Sequence, residues 1–180
     1  MSGGLDSAVA AALLLQQGWA VLGVHLLLAD TPRAEHDLNP LLNFLGIECR
    51  YLDVRQEFRA AIIDNFIALY RQGKTPNPCV RCNALIKFGR LRQVVGEWGF
   101  DYLATGHYAR LAVGQDGDWA LYGGVDSRKE QSYFLHRLPR EALGAIMFPL
   151  GSFTKTQVRQ MSVELGLAPY LPARESQELC

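Results

Sequence analysis

Residues 2–7 read SGGLDS, and an Ala- and Leu-rich run, AVAAALLLQQ (8–17), follows at once. Adjacent glycines can adopt backbone angles closed to other residues and let main-chain N–H groups approach an anion closely. Ser2 and Ser7 add hydroxyl donors. The helix expected over residues 6–17, stopped by Gly18, turns its positive end toward the same place. Asp6 would repel a phosphate unless a cation lies between them, which suits a carboxylate that helps hold Mg²⁺. The glycines are not followed by the lysine of the usual P-loop, which argues against that class. A glycine-rich helix start without any ligand is the plain alternative.

Reading outward, residues 20–29 form a continuous apolar run that fits a strand buried on both faces. A short helix is expected over 38–45, stopped by Gly46, and IECRYLDV (47–54) alternates as a strand does. Phe58, Ile62, Phe66, Leu69 and Tyr70 recur at helical spacing through 56–72. GKTPNPCVRCN (73–83) reads as a turn-rich loop ahead of a helix over 84–98. A short strand at 101–105 leads into GHYAR, and two strands flank the turn at Asp116-Gly117. A last amphipathic helix spans 154–165 with Thr154 as its N-cap. The alternation implies an α/β fold, Rossmann-like, with a mostly parallel sheet and helices on both faces.

The chain has 180 residues, enough for one domain, with 18 basic and 18 acidic side chains. The balance removes any bulk-charge argument for nucleic acid, although a local patch would still serve. The apolar runs are shorter than the roughly 20 residues of a membrane span, and no export signal precedes them. A cytoplasmic, membrane-free protein is expected.

Four cysteines at irregular spacing do not form a secreted disulfide framework. Cys79-Val80-Arg81-Cys82 reads as a nucleophile segment, a redox CxxC or half of a zinc site. Cys82, placed at the start of the helix over 84–98, would have its thiol pKa lowered by the helix dipole. Cys49 and His25 read as core residues within strands, and His107 as a pocket residue or a turn cap. Lys129 suits a phosphate contact or an ordinary surface, and Arg159 and Arg174 would extend a basic face.

SGGLDS closely resembles the loop of the N-type (PP-loop) ATP pyrophosphatases, relatives of the adenine nucleotide alpha hydrolases. TPNPCVRCN, ATGHYAR, KEQSYFL, FPLG with TKTQVR, and ESQELC then occur in the order seen in the tRNA-specific 2-thiouridylases. That resemblance runs from Ser2 to Cys180. It implies adenylation, with ATP and Mg²⁺, of the C2 oxygen of a wobble uridine in tRNA, then replacement of that oxygen by persulfide sulfur. It implies that Ser2, Gly3, Gly4, Asp6, Ser7, Leu26 and Gly106 meet ATP, with Asp6 also at the metal. Asn77, Pro78 and Cys79 would meet the target base, and Lys129, Glu130 and Gln131 the tRNA. Cys82 matches the nucleophile and Cys180 the persulfide-bearing cysteine. A cysteine desulfurase or sulfur-relay protein would supply the sulfur.

Against the family pattern, the expectation is a single adenylation and sulfurtransferase domain, residues 1–180, without the first strand and without C-terminal β domains. Two rival functions stay open: action on another acceptor, or ATP binding without turnover.

Overall fold

The computed structural model describes residues 1–29 and 38–172. Helix α1 (Leu5–Gln16) starts from the glycine loop and buries a strip of small residues, Ala8 through Ala12, with Leu14. Its partner is α7 (Lys155–Glu164), and alanine lets the two backbones come close. Val9, Leu41, Tyr108, Leu150, Val158 and Leu167 close that core. Gly18, at φ 82°, ends α1 as the sequence indicates.

Strand β1 (Gly23–Leu27) pairs in parallel with β2 (Cys49–Asp53), Gly23 opposite Cys49 and Leu26 opposite Leu52. Helix α2 (Asn39–Leu45) makes the crossover between them and stops at Gly46 in the left-handed region. A second parallel pair joins β3 (Leu103–Ala104) to β6 (Ile146–Met147). The predicted hairpin is present as antiparallel β4 (Ala109–Val113) and β5 (Trp119–Gly123), with Gly117 at φ 82° in its turn.

The expected α/β architecture is therefore found, with the sheet in three two-stranded parts among the described residues. Leu26 and Leu52 of one parallel pair pack into the cluster that holds Leu103 and Ile146 of the other. Met1 lies along β1, its amino group donating to the carbonyl of Val24 and its carbonyl bonded to His25 Nδ1 at 2.8 Å. That bond explains a histidine within an apolar strand.

The long helix over 56–72 is built as α3 (Arg55–Phe58), a π-helical stretch (Arg59–Ile63) and α4 (Asp64–Arg71). The next helix corrects the sequence reading. It begins at α5 (Pro78–Cys82), six residues early, and runs through a π-helical stretch (Asn83–Leu91) into α6 (Arg92–Glu97). The Asn77 side chain is the reason. Its oxygen accepts from the N–H groups of Cys79 and Val80, while Pro78 takes the first helical position, where no N–H is needed.

Two glycines test this packing with opposite signs. A Cβ at Gly151 would overlap the carbonyl oxygen of Ala109 and stand 2.7 Å from its carbon, so Gly151→Ala should cost about 1–3 kcal/mol or more. Gly96, inside α6, has open space there, and Gly96→Ala should stabilise by about 0.5–1 kcal/mol. Urea unfolding of the two variants measures both.

Candidate functional site

The loop of residues 2–7 is tied to itself by its hydroxyls. Ser7 Oγ donates to the carbonyl of Gly4 at 3.0 Å and lies 3.1 Å from Ser2 Oγ, which accepts from the Gly4 N–H at 3.3 Å. Gly3 takes φ 78°, a conformation that favours glycine. Gly4 is the N-cap of α1 without a side-chain cap, so no side chain of that residue covers the first helical N–H groups. Gly106 comes up against this loop from the other half of the chain. A Cβ on Gly106 would stand 2.9 Å from the Asp6 carbonyl carbon and 3.0 Å from Asp6 Cβ. The candidate residues Ser2, Gly3, Gly4, Asp6, Ser7 and Gly106 are thus brought together.

Asp6 has partners that the sequence reading missed. Its carboxylate accepts from Lys155 Nζ at 2.7 and 2.9 Å and from the Tyr108 hydroxyl at 2.7 Å. Lys155 is buried, and its main-chain N–H donates to Asp126 Oδ2 at 2.9 Å. That N–H, together with Arg128, holds the Asp126 carboxyl below the usual carboxylate range. One signal pointed here: a lysine at the first position of a helix opposes the helix dipole and asks for an acidic partner. Nothing local shows that the partner is 149 residues away.

The donor set fits an anion: main-chain N–H groups at a twelve-residue helix start, two hydroxyls, and a glycine wall. For a metal ion the described residues of this loop offer one carboxylate, Asp6. Among the described residues no three His, Cys, Asp or Glu side chains cluster as a metal site. One carboxylate suffices for Mg²⁺ when phosphate oxygens supply other positions.

Leu26, half-buried on β1, packs into the cluster of Val54, Ile62, Cys82 and Ile86. Nucleotide candidate and nucleophile candidate therefore share one cluster. Cys82 is 2% exposed and lies at the last residue of α5 rather than at a helix start. The dipole argument consequently passes to Cys79, in the first turn, because the effect falls off within one turn. Cys49, half-buried on β2, has its thiol pushed up by burial.

Gln131 exchanges two bonds with Tyr108, its Oε1 accepting from the Tyr108 N–H and its own N–H donating to the Tyr108 carbonyl, both at 3.0 Å. Glu130 Oε1 accepts from the Ser132 N–H. These two side chains brace the segment, and Lys129 alone of the three is exposed. His107 packs between Phe88 and Phe148, with Nδ1 2.8 Å from Thr105 Oγ1. Burial, then the charge of Lys87, pushes its pKa down to about 3. Cys180 and Arg174 lie outside the described residues. No described helix is long and apolar enough to cross a membrane.

A family model described as tRNA methyl transferase HUP domain matches residues 1–180. The chain is 45% identical over 188 residues to a tRNA-specific 2-thiouridylase of Pelobacter propionicus, covering all of this chain and 52% of that protein. It is 46% identical over 188 residues to one of Trichlorobacter lovleyi and 43% identical over 192 residues to one of Chloroflexus aurantiacus. These alignments also cover all of this chain, with 52% and 53% of the relatives. The chain spans about half the length of the relatives it matches.

Two outcomes follow from the geometry. In a double-mutant cycle, Asp6→Asn and Lys155→Met should each destabilise and show a coupling of about 1–3 kcal/mol in urea unfolding, because the lysine is 8% and the aspartate 34% exposed. His107 is neutral when folded, while an unfolded histidine protonates near pH 6.5. The unfolded state then binds more protons between about pH 3 and 6.5, so His107 removes stability as pH falls through that window. His107→Gln should flatten that acid slope and leave the slope above pH 7 unchanged, read from stability against pH.

Proposed function

The chain belongs to the tRNA methyl transferase HUP domain family, and from that premise we propose that it carries the adenylation and sulfur-transfer chemistry of a tRNA-uridine 2-sulfurtransferase. The observation that carries this reading is a glycine-rich helix start walled by Gly106, in a chain that also packs Cys82 against Leu26. ATP, with Mg²⁺, supplies an adenylyl group that turns a carbonyl oxygen into a leaving group.

In this reading the N–H groups of Gly3 and Gly4 and the hydroxyls of Ser2 and Ser7 hold the phosphates at the start of α1. Asp6 would help hold the magnesium ion, and Lys155 would offset the charge that Asp6 would otherwise set against the phosphates. Asn77, Pro78 and Cys79 present the target uridine, and Lys129 answers tRNA phosphate. The C2 oxygen of uridine takes the adenylyl group and pyrophosphate leaves. The terminal sulfur of a Cys180 persulfide then attacks C2, AMP leaves, and a C2–S–S–Cys180 link remains. The Cys82 thiolate attacks Cys180 Sγ, which forms a disulfide and releases 2-thiouridine. A thiol reductant resets the pair, and a cysteine desulfurase or its relay protein reloads the persulfide. Cys82 is packed under Val54, Ile62 and Ile86, so its attack requires that this cluster open.

The test is sulfur incorporation into unmodified tRNA with ATP, cysteine and a desulfurase, read by nucleoside mass spectrometry. Wild type should form 2-thiouridine and Cys82→Ser none, while Cys82→Ser still releases pyrophosphate. Gly106→Ala, which drives a methyl group into Asp6, should weaken ATP binding by roughly tenfold, about 1.4 kcal/mol. Pyrophosphate release independent of tRNA would favour another acceptor. Thiolation by Cys82→Ser at the wild-type level would overturn the cysteine assignment.

A further inference from the structure

The helix that carries Cys82 has a second functional face. Successive residues of a helix step by about 100°, so Val80 and Arg81 point away from Cys82. On their side, α4, the loop of residues 72–77 and the 3₁₀ turn Ser132–Leu135 enclose a groove of about 400 Å³. That volume is in the range of small-molecule sites. Neither Cys79 nor Cys82 lines it, and Ile62, which packs in the Cys82 cluster, forms a wall shared by the groove and that cluster.

The lining has a consistent chemistry. Phe66 and Tyr133 offer exposed rings, 36% and 62% accessible. Arg81 and Arg137 bring two guanidinium groups, Asn65 and Thr75 bring uncharged donors and acceptors, and among the described residues no carboxylate lines the groove. The walls are fixed rather than loose. Tyr133 packs edge-on against Phe134 and tilted against His136, each at 5.6 Å. The carbonyl of Phe134 accepts from Asn83 Nδ2 at 3.2 Å, and Asn83 follows Cys82 directly. Arg81 Nε donates to the carbonyl of Ala61 at 2.6 Å, which anchors one guanidinium against the π-helical stretch. Aromatic faces with guanidinium groups and neutral edge-readers, free of acid, are what an unpaired nucleotide requires.

We propose that this groove is a second RNA subsite, in which a nucleotide flanking the reacting uridine stacks its base on Tyr133 and sets its phosphate against Arg137. The inference rests on the tRNA reading above and deepens it. Asn77 and Pro78 line the groove as well as opening α5. Asn77 and Pro78, which the thiolation reading sets against the target uridine, would then form the edge shared by the two bases. Specificity for the base beside the target would come from Asn65 and Thr75.

The test uses a fluorescein-labelled, unmodified anticodon stem-loop and its dissociation constant by anisotropy at fixed salt. Tyr133→Ala should weaken binding about 5- to 100-fold, and Tyr133→Phe should restore it. An abasic nucleotide beside the target uridine should weaken wild-type binding similarly and add little to Tyr133→Ala. Arg137→Gln should lower the slope of log affinity against log salt by about one. Tyr133 is exposed, so an unchanged melting temperature checks the fold. Additive losses, or full affinity in Tyr133→Ala, would overturn the subsite while leaving the thiolation reading in place. Absence of binding by the wild type would overturn both.

Discussion

Lys155 is tied at both ends. Its main-chain N–H is held by Asp126 and its side-chain ammonium by Asp6, so one residue fastens α7, the loop of residues 126–131 and the opening loop. Tyr108 completes the arrangement, donating its hydroxyl to Asp6 while its main chain pairs with Gln131. A buried ammonium is tolerated only where a carboxylate meets it, and removing one partner strands the other. The glycine loop is held by this network, by its own hydroxyls and by Gly106. Its geometry is a property of the tertiary structure.

The same network changes the meaning of Asp6. An acid in the first turn of α1 is favourable to the helix but hostile to a phosphate placed at the same end. Lys155 provides the intervening positive charge from within the protein. The acid at the start of α1 is thereby neutralised within the protein.

A division of labour runs through the rest of the chain. The helix over 78–97 buries Cys82 on one side and opens a polar and aromatic groove on the other. Its π-helical stretch begins directly after Cys82, and the preceding helix has another directly before α4. Such stretches shift the register of a helix face and recur at functional sites. Ile62, in the first of these stretches, packs in the Cys82 cluster and also lines the groove.

Much of this was legible in the residues. Small residues after SGG, the stops at Gly18 and Gly46, the Asp-Gly hairpin and the Thr154 cap are local signals, each decided within a few residues. The motif order gave the family. The early start of the Cys82 helix was misread because the two prolines of TPNPC suggest a loop, whereas Pro78 at the first helical position, capped by Asn77, begins one. Tertiary structure alone decided the partners of Asp6, the bracing role of Gln131, the burial of Cys82 and the groove beside Tyr133. These depend on contacts between residues from 20 to 149 positions apart, and on which face of a helix meets which neighbour. Residue type and spacing specify turns, caps and periodicity, because those energies are local. A buried charge finds its counter-charge only when the chain closes on itself.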